Sequence, residues 1–196
     1  MEETVDLRIV EEPKKPMAMH PKKFGMWLFL ASVMMLFMSL TSAYIVRRAE
    51  GNWVFFEIPS YFYYSSFVVI AGSITMQMAF IWAKRDRLSG LKTLVIISVL
   101  LGFTFLITQS LGVVQLVNDG HHFTGGNVSE SFFYVFPGLH GAHIISAIIF
   151  LLIVCNSAFK GKIHSKNMAQ MEMCTTYWHF LGGLWLYLFI FLLLYR

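Results

Sequence analysis

The side chains best suited to chemistry in this sequence are four ionisable groups inside long apolar runs. His140 and His143 lie three residues apart, and Glu172 and His179 lie seven residues apart in the last run. Imidazole and carboxylate groups can bind a metal, hold a haem iron or carry protons. If the runs cross a membrane, these groups are functional candidates by default, because lipid offers them no hydrogen bonds.

A haem or copper site needs ligands that converge on one point. His140 and His143 share a helix face, whereas Glu172 and His179 are about 10.5 Å apart in helical rise and cannot bond each other. The orientation that the basic residues predict places His140 in the outer half of the bilayer and His179 nearer the cytoplasmic half. A pairing of His143 with His179 stays open. We expect structural polar contacts, with no metal, cofactor or catalytic residue in this chain.

Autonomous solute or proton transport is the alternative from another class. A relay across the bilayer needs polar groups every few ångströms, and the first run offers only Ser32, Ser39 and two neighbouring hydroxyls. The sequence has no nucleophile–base pair, Walker loop, H-E-x-x-H motif or paired catalytic carboxylates. His121 and His122 lie in the longest loop, 118–131, where a solvated segment is favoured over a surface metal site.

The composition is that of an integral membrane protein. Apolar residues make up 57 % of the chain and charged residues 13 %, with a mean hydropathy of +0.62. A soluble domain is nearer roughly 45–50 % apolar and 25 % charged. The net charge of +4 comes from basic residues at helix ends and does not suggest nucleic-acid binding. Cys155 and Cys174 lie in apolar runs without a C-x-x-C motif, which argues against a disulfide framework or a thiolate metal site.

The apolar runs predict an all-α bundle of five transmembrane helices behind a solvated cytoplasmic tail, residues 1–23. Each run exceeds the ~20 residues that a helix needs to cross a bilayer. The first is too long for the core of a cleavable signal peptide, so we expect it to be retained. The predicted spans, which form one domain over 24–196, are about 24–46, 61–83, 91–117, 132–159 and 169–195.

The distribution of basic residues predicts the orientation of the bundle. Twelve of the 15 Lys and Arg residues lie in the tail or in and directly beside the second and fourth loops. The other side of the membrane holds only Arg47, Arg48 and Arg196. By the positive-inside rule, the N-terminus is cytoplasmic and the C-terminus is outside.

Small residues recur along helix faces, which in membranes favours close helix packing. Gly182 and Gly183 also remove side chains from the middle of the last run. The three strips are Gly25, Ser32 and Ser39 in the first span, Ser65, Gly72 and Ala79 in the second, and Gly138, Ala142 and Ser146 in the fourth.

Several motifs together resemble one family. Tyr177-Trp178-His179-Phe180 is similar to the Tyr/Phe-Trp-His-Phe motif in the final helix of subunit III of the haem-copper oxygen reductases, the cytochrome c oxidase type. The stretch from Pro137 to Ile145 resembles the family's Gly-Phe-His-Gly-x-His-Val motif. Glu172 also precedes His179 by the family's seven residues. Weaker similarity at Lys23 to Ser32, and at Leu101-Gly102 with Gln109, extends the resemblance over about residues 22–195.

The resemblance implies a five-span bacterial subunit III in the inner membrane. Such a subunit packs on subunit I, binds phospholipid, and supports proton uptake, oxygen access and durability, while haem and copper belong to subunits I and II. The whole complex would be the enzyme, and it could join a larger respiratory supercomplex. A quinol oxidase or nitric oxide reductase stays an alternative, because the donor is chosen on subunit II. The implied interhelix or lipid contacts involve His140, His143, Glu172, Trp178, His179 and Gln109.

Two positions depart from the family pattern. Val33 replaces a frequent carboxylate in the first span, and Gly182 replaces a frequent Asp in the last. Any proton-related role of the first carboxylate is therefore not expected in this chain, and Gly182 removes another polar contact. The five predicted spans resemble the shorter bacterial versions without the two leading helices of seven-span relatives, so we do not expect the lipid-filled cleft of those relatives to carry over unchanged.

Overall fold

The computed structural model describes residues 21–51, 58–120, 128–161, 163 and 167–195. Over these residues the chain is all-α, as predicted, with five helices of 25 to 32 residues that are long and apolar enough to cross a membrane. Each predicted span lies inside one helix. The helices are α1 (Pro21–Ala49), α2 (Ser60–Lys84), α3 (Leu88–Asn118), α4 (Val128–Phe159) and α5 (Ala169–Tyr195).

Two helices extend beyond the spans predicted from their apolar runs. Helix α1 covers Pro21–Ala49, so residues 21–23, predicted as the end of the tail, are helical. Helix α4 begins at Val128, inside the segment predicted as a solvated loop. Glu130 therefore lies in its first turn, 9 % exposed, where a carboxylate complements the helix dipole. The tail before residue 21 and the pair His121-His122 lie outside the described residues.

Helices α2 and α3 form an antiparallel hairpin joined by a very short turn. Arg85 N–H donates to the carbonyls of Ile81 and Trp82, which closes the end of α2. Asp86 then adopts a positive φ of 54°, a conformation that Asp tolerates better than most residues. The connection reverses the chain within three residues and sets the extensive packing of the two helices against each other.

Helix α5 is the central element of the bundle. Its backbone lies close to α1, α2 and α4, and its indole rings also contact α3. The backbone of α1 lies close only to α4 and α5 among the described helices. Half of the most apolar 18-residue stretch of α5 is buried inside the bundle. In every other helix the buried share of the corresponding stretch is about a third or less. The middle of the core consists of buried aromatic side chains from α5, α1, α2 and α3, in that order Trp185, Phe37, Phe62 and Phe105.

The small-residue strips differ in whether they are buried. The α2 strip is buried throughout, at Ser65, Gly72 and Ala79. The α1 strip faces outward, because α1 buries a different face, which carries Leu30, Val33, Phe37, Thr41 and Tyr44. Gly25, Ser32 and Ser39 therefore do not form a buried contact among the described helices of this chain, and their predicted packing role stays a prediction.

The glycines that were predicted to allow close helix packing also differ in how near other helices lie. A Cβ on Gly72 would lie 3.4 Å from Trp178, and one on Gly182 would lie 3.1 Å from the Ser73 hydroxyl. A Cβ on Gly138 or Gly183 would meet no atom within 4 Å. Both face outward, so they do not pack against another described helix of this chain, and their predicted packing role stays a prediction.

Candidate functional site

The side chain of His140 is completely buried at the centre of the bundle. Its ring lies 5.4 Å from that of Trp185, 5.8 Å from that of Phe105 and 6.3 Å from that of Phe37, measured between centroids. Among the described residues, neither ring nitrogen has a hydrogen-bond partner. The imidazole thus joins α4 to α1, α3 and α5 through aromatic contacts.

Two hydrogen bonds attach α2 to the helices beside this aromatic centre. Trp185 Nε1 donates to the hydroxyl of Ser66 at 3.1 Å, and Gln109 Nε2 donates to the hydroxyl of Ser65 at 2.9 Å. All four side chains are buried. The predicted interhelix contact of Gln109 is therefore present, between α3 and α2. The two serines were not singled out as hydrogen-bonding groups from the sequence, because hydroxyls in apolar helices commonly bond their own backbone.

His143 lies one helical turn from His140 and contacts α1 and α5. Its Nδ1 is 2.7 Å from the carbonyl oxygen of Leu139 in its own helix. The hydroxyl of Tyr177 donates to the carbonyl oxygen of His143 at 3.3 Å and lies 2.6 Å from the hydroxyl of Ser146. Both imidazoles flank the ring of Phe37, so they share one helix face, as their spacing predicts.

His179 faces α2 instead. Its Nε2 lies 3.1 Å from Oε1 of Gln77, and the half-buried imidazole borders cavities on both sides of α5. His143 and His179 thus contact different neighbours, and the pairing that the sequence left open is not formed. Within the described ranges, no three His, Cys, Asp or Glu side chains are placed to hold a metal ion.

Replacing His179 with Leu should reduce stability modestly. The change removes the bond to Gln77 and leaves its amide oxygen without a partner, and hydrogen bonds in membranes average about 0.6 kcal/mol. Unfolding in mixed detergent–SDS micelles measures the difference. His179→Gln keeps an amide that can reach Gln77 and should recover most of the loss. Equal stability of the Leu and Gln variants would show that this bond contributes nothing.

Glu172 pairs with Lys23 at the opposite end of the chain. Lys23 Nζ lies 2.7 Å from Oε2 of Glu172, and both side chains are partly exposed, by 32 % and 47 %. The ion pair links the first turn of α1 to the first turn of α5. The interhelix contact predicted for Glu172 is therefore present in this form.

Lys23→Gln is expected to lower stability by about 0.5 kcal/mol, because partly exposed ion pairs contribute little. The loss should disappear in high salt, which screens exposed charges. Lys22→Gln is the matched control, since Lys22 is exposed beside Lys23 and pairs with no carboxylate among the described residues. A loss that persists in high salt would contradict an electrostatic origin. Thermal unfolding at two salt concentrations provides the measurement.

Trp178 fits closely against glycines on two other helices. A Cβ on Gly102 of α3 would come within 2.8 Å of the Trp178 ring, and Gly72 of α2 lies on another part of that ring. Trp178 is 5 % exposed, and its Nε1 has no hydrogen-bond partner in the described part of the chain. Its role is packing, so the polar contact predicted for Trp178 is not formed within the described residues. The indole fills the junction of α2, α3 and α5 as an apolar ring.

Comparison with known proteins shows which family this five-helix chain belongs to. The model of the family described as cytochrome c oxidase subunit III matches residues 56–196. The chain belongs to the cytochrome c oxidase subunit III family. The motifs of α4 and α5 that suggested this family lie inside the matched region.

Relatives match over most of the chain. Cytochrome c oxidase subunit 3 of Bacillus sp. (strain PS3) is 27 % identical over 173 residues, covering 86 % of this chain and 83 % of the relative. Cytochrome c oxidase subunit 3 of Corynebacterium diphtheriae is 27 % identical, covering 85 % and 84 %. The protein described as "Probable quinol oxidase subunit 3" of Staphylococcus saprophyticus is 25 % identical and covers 85 % of each chain.

Val33 and Gly182, the two positions expected to depart from the family pattern, lie in packed parts of the bundle. Val33 is 3 % exposed, on the buried face of α1. Gly182 allows α5 to approach Ser73 and Val69 of α2 closely. Both positions therefore serve helix packing in this chain.

Proposed function

We propose that this chain is the non-catalytic subunit III of an aerobic respiratory terminal oxidase in a bacterial inner membrane, with its N-terminus cytoplasmic. In this proposal, subunits I and II hold the haem and copper that pass electrons to oxygen while protons are translocated. This chain packs on subunit I, which it stabilises, and supports oxygen access and proton uptake. The observation that carries the proposal is the family match over residues 56–196.

The arrangement of the polar groups supports a structural role. His179 pairs with Gln77, Gln109 with Ser65, and Glu172 with Lys23, each across a boundary between two helices. Contacts of this kind hold a bundle together, whereas a redox centre needs several ligands directed at one point. His140 is likewise enclosed by aromatic rings from three helices.

Phospholipid binding is proposed at the N-terminal end of α1. A cavity of about 440 Å³ between α1, α4 and α5 is lined almost entirely by apolar groups, among them Met26, Phe29 and Phe150. Lys22 and Lys23 lie in the helical turn beside it. A basic residue near a membrane surface attracts anionic lipid by about 1 kcal/mol. The cavity suits an acyl chain. Lys22, which unlike Lys23 forms no ion pair among the described residues, suits an anionic headgroup.

Affinity purification of the tagged chain from its native membranes tests the proposal. A large haem-containing subunit should co-purify in a fixed ratio, with the optical spectrum of a haem-copper oxidase. Stoichiometric haem or copper in the purified chain alone would contradict the non-catalytic role, and recovery without any oxidase subunit would contradict the assignment to a complex.

The electron donor is proposed to be cytochrome c. Two of the relatives above are described as cytochrome c oxidase subunits, and one as a quinol oxidase subunit. A copper-binding subunit II in the purified complex would support cytochrome c. Its absence, with oxidation of a quinol by the complex, would instead assign the chain to a quinol oxidase.

A further inference from the structure

Helices α1 and α2 both pack against α5 but, in the described part of the chain, their backbones do not come within 8 Å of each other between Cα atoms. A cavity of about 380 Å³ lies between α2 and α5, and one of about 400 Å³ lies between α1 and α5. His179 and Gly183 line both cavities. Together they form one lateral surface, which we call the α1–α2 groove, with His179 and Gly183 at its floor.

The groove contains polar groups at a depth where lipid cannot bond them. With Nε2 of His179 donating to Oε1 of Gln77, Nδ1 of His179 remains an acceptor and the amide of Gln77 keeps two N–H donors. Gln77 is exposed and His179 is half-buried. The two residues lie about 10 and 15 Å from the nearer ends of their helices, by the helical rise, and therefore within the hydrocarbon. Acyl chains offer neither donors nor acceptors there.

The floor of the groove also permits close approach by another backbone. Gly183 follows His179 by one helical turn and is exposed, and a Cβ placed on it would meet nothing within 4 Å. Tyr187 lies one turn further and is 45 % exposed, and its hydroxyl is 3.1 Å from that of Thr41. A small residue between two polar groups suits helix–helix contact in a membrane.

We propose that the α1–α2 groove is the docking surface for a transmembrane helix of another oxidase subunit. That helix carries a hydroxyl, amide or carboxyl side chain that bonds the free groups of Gln77 and His179, and it packs closely at Gly183. The inference rests on the proposed function, since it locates the partner of the same subunit. A phospholipid chain could fill the cavities but would leave the polar groups without partners.

Photo-crosslinking in the intact complex distinguishes a helix from a lipid. Benzoylphenylalanine replaces either Met38, which lines the groove, or Met35, which is 72 % exposed on the same helix and outside both cavities. Position 38 should give an adduct with a larger oxidase subunit, at least fivefold more than position 35. Adducts of position 38 with phospholipid only, or equal polypeptide adducts from both positions, would overturn the proposal.

A bulky side chain at Gly183 provides the second measurement. Gly183→Leu should reduce co-purification of the haem-containing subunit at least fivefold, whereas Gly138→Leu should not, although Gly138 is equally free of contacts within this chain. Normal assembly of the Gly183 variant, or equal loss in both, would contradict docking in the groove. Where Gly183→Leu also lowers the amount of the chain itself, the crosslinking result decides. If the unmodified chain recovers no oxidase subunit, the proposed function fails irrespective of the groove.

Discussion

Replacing Trp185 with alanine should destabilise the bundle strongly, because it empties the centre of the core. The Trp185 side chain is completely buried, and its ring contacts those of His140, Phe105 and Phe62. Losing such a side chain costs roughly 3–5 kcal/mol in soluble proteins. We expect about 3 kcal/mol, because lipid also solvates an indole in the unfolded state, whereas the dispersion contacts of the packed core are lost.

Trp185→Phe separates packing from hydrogen bonding. It keeps an aromatic ring beside His140 but removes the N–H that donates to Ser66 at 3.1 Å. We expect it to lose roughly 1 kcal/mol, from one membrane hydrogen bond and a small change of volume. Equilibrium unfolding in mixed micelles measures both variants. A Trp185→Ala protein as stable as the Phe variant would contradict the central position of this ring.

Gly102→Ala is also expected to destabilise the bundle. The new methyl carbon would lie 2.8 Å from the Trp178 ring and 3.1 Å from the side chain of Ile148. Both neighbours are buried and cannot move outward freely. Overpacking of this kind costs roughly 1–3 kcal/mol, against a gain of up to about 1 kcal/mol from the better helix propensity of alanine. We expect a net loss of about 1–2 kcal/mol.

The matched control for this change is Gly141→Ala in α4. A Cβ at Gly141 would meet no atom within 4 Å, so only the helix propensity of alanine acts there. The variant should be as stable as the natural chain or slightly more stable. Unfolding of both variants under the same conditions compares them directly. Equal stability of the two would mean that α3 does not pack closely on Trp178.

Both predictions concern how α5 holds the subunit together. Trp178 and Trp185 lie seven residues apart on α5 and fill two successive levels of the core. In the proposed complex, the outer face of α5 forms the floor of the groove and the inner face anchors α2, α3 and α4. A loss of packing at either indole is therefore expected to weaken assembly with the other subunits as well.

The sequence by itself determined the number, type and approximate position of the helices. A membrane-spanning segment must be long, apolar and internally hydrogen-bonded. The length and the apolar character of each segment can be read directly from the sequence. The motifs around His140 and His179 were also sufficient to indicate the family, since short-range spacing carries that information. The shared face of His140 and His143 follows from helical periodicity alone.

Only the tertiary structure decided which faces meet. The strip of Gly25, Ser32 and Ser39 has the spacing of a packing face, yet α1 turns its opposite side to the bundle. Gln77 and His179 are 102 residues apart and come within 3.1 Å, a pairing with no local signature. The physical reason is that local spacing defines the faces of a helix, whereas the choice of a partner depends on how five such surfaces fit together around the indole rings of α5.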